Sequence, residues 1–525
     1  MKKLMMLFAF TIALLIGLTA CDGDSGGTTD DGRVVLTGIV LKHPLTQPNA
    51  DMEWLQLAEE RAGVSIQWEE ISSDWDEVKG TLLASGDIPD IIIGAGAINN
   101  GDFAMFPGLF EDFRNHMDAL PNVQAMFDEQ PLTYTLATQA DGSILGLSKY
   151  QRFWPETVTR QYINQVWLDN LGLDIPTNWD ELFDVLIAFR DNDANGSGRT
   201  DDEIPMDFNT GFGFFSPAVL LANTGITITD SNHQGYFAEN GRVLNYFADP
   251  RYKEFIQFLH RCFAEGLINP EVFTQDYTRF QAVARGEGDY ARVGFTFGWV
   301  STDRFGNQVA PQYVSIPPLR TSATTTVDPS WTYDFNTLNF AANVVTMSAR
   351  SNNHEAALAF INELYDPVVG MQILFGSLGT NISDNSDGSF SVLPPVDPDM
   401  DPGTWKWTST WADNGPMFIS DTLDLSLGED MALVLDETLP LRPTMEAIGQ
   451  GDILPMMFMN FTSDENNTMA INNTNIMSIA ESHYARWITQ GGIEDEWEEY
   501  LELLERAGLN ENLEIIQRHM DLLSN

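Results

Sequence analysis

The run Asp191-Asn192-Asp193-Ala194-Asn195-Gly196-Ser197-Gly198-Arg199-Thr200-Asp201-Asp202-Glu203 sets oxygen donors at alternate positions with glycines between them. Such alternation lets a tight loop wrap a hard cation that wants about six to eight oxygens, and calcium is the ion it suits. Two registers are open. Counting from Asp191 uses Asp191, Asp193, Asn195, the Ser197 carbonyl and Asp202; counting from Asp193 uses Asp193, Asn195, Ser197, the Arg199 carbonyl, Asp201 and then Asp202 or Glu203. All the donors are spent on closing the loop, so the expected ion is structural.

A second chemistry is offered by the thirteen tryptophans. Aromatic rings stack against the apolar faces of sugars, and charged or amide side chains pair with the hydroxyls. Candidates that fall in loops or at strand ends are Tyr150, Trp154, Trp299, Trp331, Trp405, Trp407 and Trp411, with Arg152 as a partner for a hydroxyl or carboxylate. Trp54, Trp68, Trp167, Trp179, Trp487 and Trp497 sit in amphipathic patterns and read as core. Catalytic patterns are missing. The seven histidines (43, 116, 233, 260, 354, 483 and 519) make no His-Glu-x-x-His and no pair at ligand spacing on one helix. The chain has no Gly-x-x-x-x-Gly-Lys loop and no Gly-x-Ser-x-Gly elbow. Gly94-Ala95-Gly96 lacks the third glycine of a dinucleotide fingerprint and reads as a strand exit.

The elements that must hold these groups alternate. Val34 to Leu41 reads as a strand, Glu53 to Ala62 and Trp75 to Ala84 as helices, and Ile91 to Ile93 as a buried strand. Further helices are predicted over Gln161 to Leu171, Asn178 to Arg190, Tyr252 to Glu265, His354 to Leu364, Glu494 to Ala507 and Glu511 to Leu522, with a strand over Ile144 to Lys149. Asn381 to Pro402, rich in Gly, Ser, Asp and Pro, reads as a long loop. The alternation indicates an α/β fold.

Of the 525 residues, 27 are basic and 76 acidic, a formal charge of −49 with 43% hydrophobic composition. That much apolar material excludes a disordered acidic tail, and the charge excludes nucleic acid as a partner. Only seven of the cations are lysines, so the surface suits a saline exterior or reflects a lineage rich in acids. Two cysteines build neither a disulfide scaffold nor a thiolate zinc site, and Cys262 reads as a small buried hydrophobe. Met1 to Ala20 has the charged start, apolar run and small residues of an export signal. Leu18-Thr19-Ala20-Cys21 resembles the lipobox of bacterial lipoproteins, which implies lipidation, palmitate included, at Cys21 and a membrane-anchored, outward-facing protein. Residues 21–32 then read as a flexible tether.

Several segments in order resemble the extracellular solute-binding proteins of carbohydrate ABC importers. They are Ser85-Gly86-Asp87-Ile88-Pro89-Asp90, Tyr162 to Leu173 followed by Pro176-Thr177-Asn178-Trp179-Asp180-Glu181-Leu182, Glu265-Gly266-Leu267-Ile268-Asn269-Pro270-Glu271, Trp487-Ile488-Thr489-Gln490-Gly491 and Trp497-Glu498-Glu499-Tyr500. Gly491-Gly492 departs from the family's usual single glycine, and Asn381 to Leu435 matches nothing in it. The resemblance includes the alginate-oligosaccharide branch, whose calcium loop also ends in Asp-Glu-Ile-Pro; this favours the Asp193 register, with Asp193, Asn195, Ser197, Arg199, Asp201, Asp202 and Glu203 as the metal set. It implies a two-lobed periplasmic-binding-protein fold of type II with hinge crossovers. Lobe 1 is expected over 33–147 and about 320–378, and lobe 2, with the calcium loop, over 148–319 and about 379–525. It further implies a non-enzymatic, monomeric receptor that hands a sugar or oligosaccharide to ABC permease subunits. The alternatives are an anchored extracellular glycan hydrolase, which turnover of oligosaccharide would reveal, and a calcium-dependent adhesin, which would need repeats that the sequence lacks.

Overall fold

The computed structural model describes residues 27–209, 215–229, 234–397, 400 and 402–523. The export signal Met1 to Ala20 and Cys21 lie outside them. The strands run in chain order β1 (Val34–Leu41), β2 (Val64–Ile71), β3 (Ile91–Ile93), β4 (Leu147–Tyr150), β5 (Arg160–Asn164), β6 (Ile204–Met206), β7 (Tyr236–Glu239), β8 (Arg242–Asn245), β9 (Val293–Gly298), β10 (Tyr313–Ser315), β11 (Phe340–Met347), β12 (Ile382–Asp384), β13 (Ser389–Val392) and β14 (Asp424–Ser426).

Two sheets, each with its own core, make two lobes. The first has the order β2-β1-β3-β11-β4; β1 runs parallel to β2 and β3, and β11 is antiparallel to β3 and β4. Its core gathers Leu36, Trp54, Ile91, Phe113, Val345 and Phe360. The second has the order β10-β5-β9-β6, with β5 antiparallel to both neighbours and β6 parallel to β9. Tyr162, Trp167, Phe189, Phe255 and Trp487 lie in its core. Local chemistry sets the helix boundaries. Asn178 caps Trp179–Asp191 by accepting from the Asp180 and Glu181 amides, both at 3.1 Å, and Gly63 ends Glu53–Ala62 in the left-handed region.

Three long stretches carry the chain between lobes, the core residues changing lobe between Phe153 and Tyr162, between Trp331 and Phe340, and between Leu425 and Leu441; Phe458 then dips back into the lobe 1 core before Met459 returns to lobe 2. The first two crossovers are laced together: the Asp334 amide donates to Glu156 O at 2.7 Å, the Val158 amide donates to Asp334 Oδ2 at 2.9 Å, and the Thr157 and Thr332 hydroxyls are bonded to each other. Burial raises the Asp334 carboxyl to about 6, opposed by the Val158 amide.

The structure moves several expected boundaries. Residues 148–153 belong to lobe 1, and Trp331 to lobe 2. The stretch from 379 to 425, expected in lobe 2, packs into lobe 1 through Ile382, Trp411, Met417, Phe418, Ile419 and Leu425. It forms a sheet of order β12-β13-β14 instead of a bare loop, and it pairs with β4, whose Tyr150 exchanges backbone bonds with Met417 and Ile419 at 3.0 Å each. The predicted helix over Gln161 to Leu171 is strand to Asn164, because β5 pairs with β9 and β10 and is buried on both faces, polar residues included. Residues 27–32 of the expected tether turn back onto β1, with Thr28 bridged to Val34. Cys262 is fully buried, and burial pushes its thiol up to about 12.

Candidate functional site

Ligands of open α/β sheets bind beyond the carboxyl ends of the strands. In lobe 1 that edge is formed by the residues after β1, β3 and β4. Gly94 makes the turn after β3 at φ 153, where a Cβ would meet Leu41 at 2.8 Å, so a side chain is excluded by both strain and space. After β1, Thr46 Oγ1 donates to Trp407 O at 2.9 Å and the Gln47 amide to Thr408 O at 3.0 Å. These bonds dock the helix Pro402–Ser409 on the edge and bring Lys406 and Trp407 to it. The His43 ring lies 4.5 Å from that of Trp407.

Trp154 sits on the first crossover, its backbone held from both sides by the fully buried Asn339 at 3.2 and 3.3 Å. Lys406 Nζ stands 4.6 Å above the Trp154 ring and 5.1 Å from that of Trp407. From lobe 2, Trp299 follows β9 and brings its ring to 5.8 Å from Trp154. Arg160, fully buried, holds Trp299 by donating to its carbonyl at 2.7 Å and lying 4.8 Å over its ring, while Thr438 Oγ1 takes the Nε proton at 3.1 Å. Burial pulls the Arg160 guanidinium below its ordinary value, against the pull of Tyr162 and Glu437. Trp154, Trp299 and Trp407 are half-buried, so parts of their rings remain accessible. Trp405 is also half-buried, and its indole N–H is enclosed without a hydrogen-bond partner. Aromatic faces with one cation between them form a surface suited to a polyhydroxylated ring.

The other expected platforms lie elsewhere. Trp331 is fully buried and donates to Thr159 O at 2.9 Å. Trp411 is core, edge-on to Trp54 and Trp68 at 5.0 and 5.4 Å, with its N–H on Asn49 Oδ1 at 3.0 Å. Tyr150 is 3% exposed and donates to Asp421 Oδ1 at 2.8 Å. Arg152 braces the carbonyls of Asp421 and Leu423. The three buried rings present no open face to a solute, while Arg152 is half-buried. A pocket of about 450 Å³ lined by Ser301, Asn307, Tyr313, Asp436 and Glu437 shares no residue with the tryptophan group; the group rests on interring geometry across two lobes and is the stronger site. Sequence reasoning did not single out His43 and Lys406, which the structure brings to this group. The signal for Lys406 was its place between two tryptophans in a chain with few lysines.

In the acidic loop, Asp191 pairs with Arg190 at 2.7 Å. The Gly198 amide donates to Asp193 Oδ2 at 2.9 Å, the Ser197 amide to Asn195 Oδ1 at 2.8 Å, Ser197 Oγ to Asp202 Oδ1 at 3.2 Å and the Asn195 amide to Glu203 Oε1 at 3.3 Å. Asp193 Oδ1 and Glu203 Oε2 are buried with no hydrogen-bond partner, and burial raises the Glu203 carboxyl. Two orphaned carboxylate oxygens in one loop fit a hard cation. Asp201 is 78% exposed and paired with Arg199 at 3.0 Å, so its carboxylate is not gathered with them.

No protein-family model matches the chain. It is 28% identical over 494 residues to the fructooligosaccharide ABC transporter substrate-binding protein FusA of Streptococcus pneumoniae, covering 89% of this chain and 86% of that protein. It is 26% identical over 259 residues to lipoprotein LipO of Bacillus subtilis, 46% of this chain and 47% of that one. Among solved structures, a solute-binding protein associated with a human-milk-oligosaccharide-binding ABC transporter of Bifidobacterium longum infantis is 30% identical with a TM-score of 0.86, covering 94% of this chain and 99% of that chain. FusA with kestose is 25% identical with a TM-score of 0.78, covering 93% and 99%, and FusA is also solved as an EF-hand mutant with fructo-nystose. FusA and the Bifidobacterium protein are transporter binding proteins, not enzymes, and they lend the hydrolase alternative no support. With two lobes, an aromatic surface where they meet and these relatives, the chain belongs to the extracellular solute-binding proteins of carbohydrate ABC transporters.

Proposed function

We propose that the solute is an oligosaccharide held between the lobes, with Trp154, Trp299, Trp405 and Trp407 as stacking faces and Lys406 and His43 as polar contacts. The observation that carries this reading is the approach of Trp299 from lobe 2 to Trp154 on the crossover, 5.8 Å between ring centroids, with Lys406 over the second ring. A ligand touching groups from both lobes favours the closed arrangement, and closure is the form a permease recognises. The oligosaccharide ligands of FusA and the Bifidobacterium protein support the ligand class. Anchoring through Cys21, supported by the lipoprotein relative, would keep the receptor beside its permease; among the described residues no helix is long and apolar enough to cross a membrane. The acidic loop would hold one structural calcium ion through Asp193, Asn195, Ser197, the Arg199 carbonyl, Asp202 and Glu203, supported by the two orphaned oxygens and by the EF-hand of FusA.

Isothermal titration of the chain in calcium with kestose, human milk oligosaccharides and oligouronates tests the ligand. Loss of one ring should weaken binding about two- to tenfold, from an aromatic contact of roughly 0.5–1.5 kcal/mol. Trp299→Ala and Trp154→Ala are expected to show this, and Trp331→Phe to leave affinity unchanged. Unaltered affinity in both alanine variants, or turnover of a sugar, would overturn the proposal.

A further inference from the structure

We infer that lobe 1 carries a second, transition-metal site formed by Glu111, His116 and His354. Each offers one ligand atom, and the three atoms lie within 4.8 Å of one another. His116 Nε2 is 2.9 Å from Glu111 Oε1, and the His116 and His354 rings meet edge to face with centroids 6.0 Å apart.

The backbone fixes all three. The Glu111 amide donates to Met347 O at 2.9 Å, and Ala349 donates to Leu109 O at 3.0 Å, so the strand-like segment 109–111 is pinned to the end of β11. Asp112 then caps the turn Phe113–Ala119 through the Arg114 amide at 3.1 Å, which sets His116 one turn beyond Glu111. His354 opens the helix His354–Leu364 packed beside that turn.

His354 Nε2 is 3.0 Å from Ser348 O, and Ser348 is 3% exposed. With its proton on Nε2, the ring bonds a buried backbone carbonyl and leaves Nδ1 with a free lone pair, the tautomer that metal-bound imidazoles adopt with an outer partner. Two imidazoles and one carboxylate select a borderline divalent ion such as zinc over calcium, with water completing a tetrahedron. Ligand atoms on tetrahedral zinc stand roughly 3.3 Å apart, so the longest separation here must contract by no more than about 1.5 Å. The side chains of Glu111 and His116 are 18% and 26% exposed, enough for an ion to enter. β11 runs antiparallel to β3 and β4, and Met347 pairs with Ile91 at the amino end of β3, so this site lies at the end of the sheet away from the tryptophans. It is independent of the sugar-binding proposal.

The test titrates zinc into the full chain carrying Cys21→Ser, which removes a competing thiol, in saturating calcium and high salt to occupy the acidic loop and screen the acidic surface. Expected are one zinc per chain, a rise in melting temperature, and visible absorption of four-coordinate cobalt on substitution. His354→Gln and His116→Gln should each weaken zinc at least about tenfold and abolish the cobalt bands. Glu111→Gln keeps a hydrogen bond to His116 and serves if a histidine variant fails to fold. Absence of a saturable zinc site, or stoichiometry and affinity unchanged in the variants that fold, would overturn the inference.

Discussion

Asp207 and Arg304 are the least accessible ion pair among the described residues, with side chains 0% and 1% exposed. Arg304 donates to Asp207 Oδ2 at 3.0 Å, to Thr296 Oγ1 at 3.1 Å and to Phe280 O at 2.5 Å, and its guanidinium lies 3.5 Å from the Phe280 ring centroid. Asp207 also accepts from Asn269 at 2.8 Å and Gln275 at 3.0 Å. Burial works against both charges, raising Asp207 and pushing Arg304 down to about 10. The two partners differ in what they can do when left alone. At pH 7 Arg304 keeps its proton, whereas a stranded Asp207 keeps two amide donors and can take a proton. Asp207→Asn therefore leaves a buried cation without its counter-ion, which costs about 3–5 kcal/mol. At roughly 2–4 °C per kcal/mol for a unit of lobe size, its melting temperature should fall on the order of 10 °C. Arg304→Met should cost less, and Asp207→Leu with Arg304→Met should recover most of the loss, since neither charge then has to be desolvated. Calorimetry at pH 7 in calcium measures all three. A fall under about 1 kcal/mol for Asp207→Asn, or a double variant no more stable than either single one, would refute the reasoning.

Two further predictions concern pH. Glu465 accepts from the Thr462 amide at 2.9 Å and faces Arg518 at 2.8 Å and His519 at 3.0 Å; the backbone bond first, and then these partners, lower its carboxyl to about 2. Its contribution is present above the unfolded value and lost as pH falls toward 2, so Glu465→Gln should flatten the acid limb of stability between about pH 4.5 and 2, read from denaturant midpoints. An acid limb as steep in the variant as in the parent chain would contradict it. For Asp334, raised to about 6, the sign reverses: its contribution is full below the unfolded value and lost as pH rises through 6. Asp334→Asn should gain stability relative to the parent between pH 4 and 7, and a constant difference across that range would count against the assignment.

What the sequence revealed and concealed divides along chain distance. The loop from Asp193 to Glu203, the capped helix after Asn178 and the strand Ile91–Ile93 are written in neighbouring residues, and each stands where local spacing puts it. The tryptophans were legible only as a set. Trp407 and Trp411 share one short segment, yet Trp411 is core because Trp54, Trp68 and Asn49 arrive from the start of the chain to enclose it, and nothing near 411 announces them. The same argument explains the misplaced lobe boundary, since β4 and the stretch around 418 meet only after the first part of lobe 2, from Tyr162 to Trp331, has been threaded between them. It explains the metal triad as well: a search along single helices cannot see His116 and His354, which come from separate elements. Lys406 shows where composition does inform. In a surface with a net charge of −49, a lysine set between two tryptophans and above a third makes a local positive point in a negative field, and at the junction of the lobes that is a means of orienting a hydroxyl-rich or acidic solute.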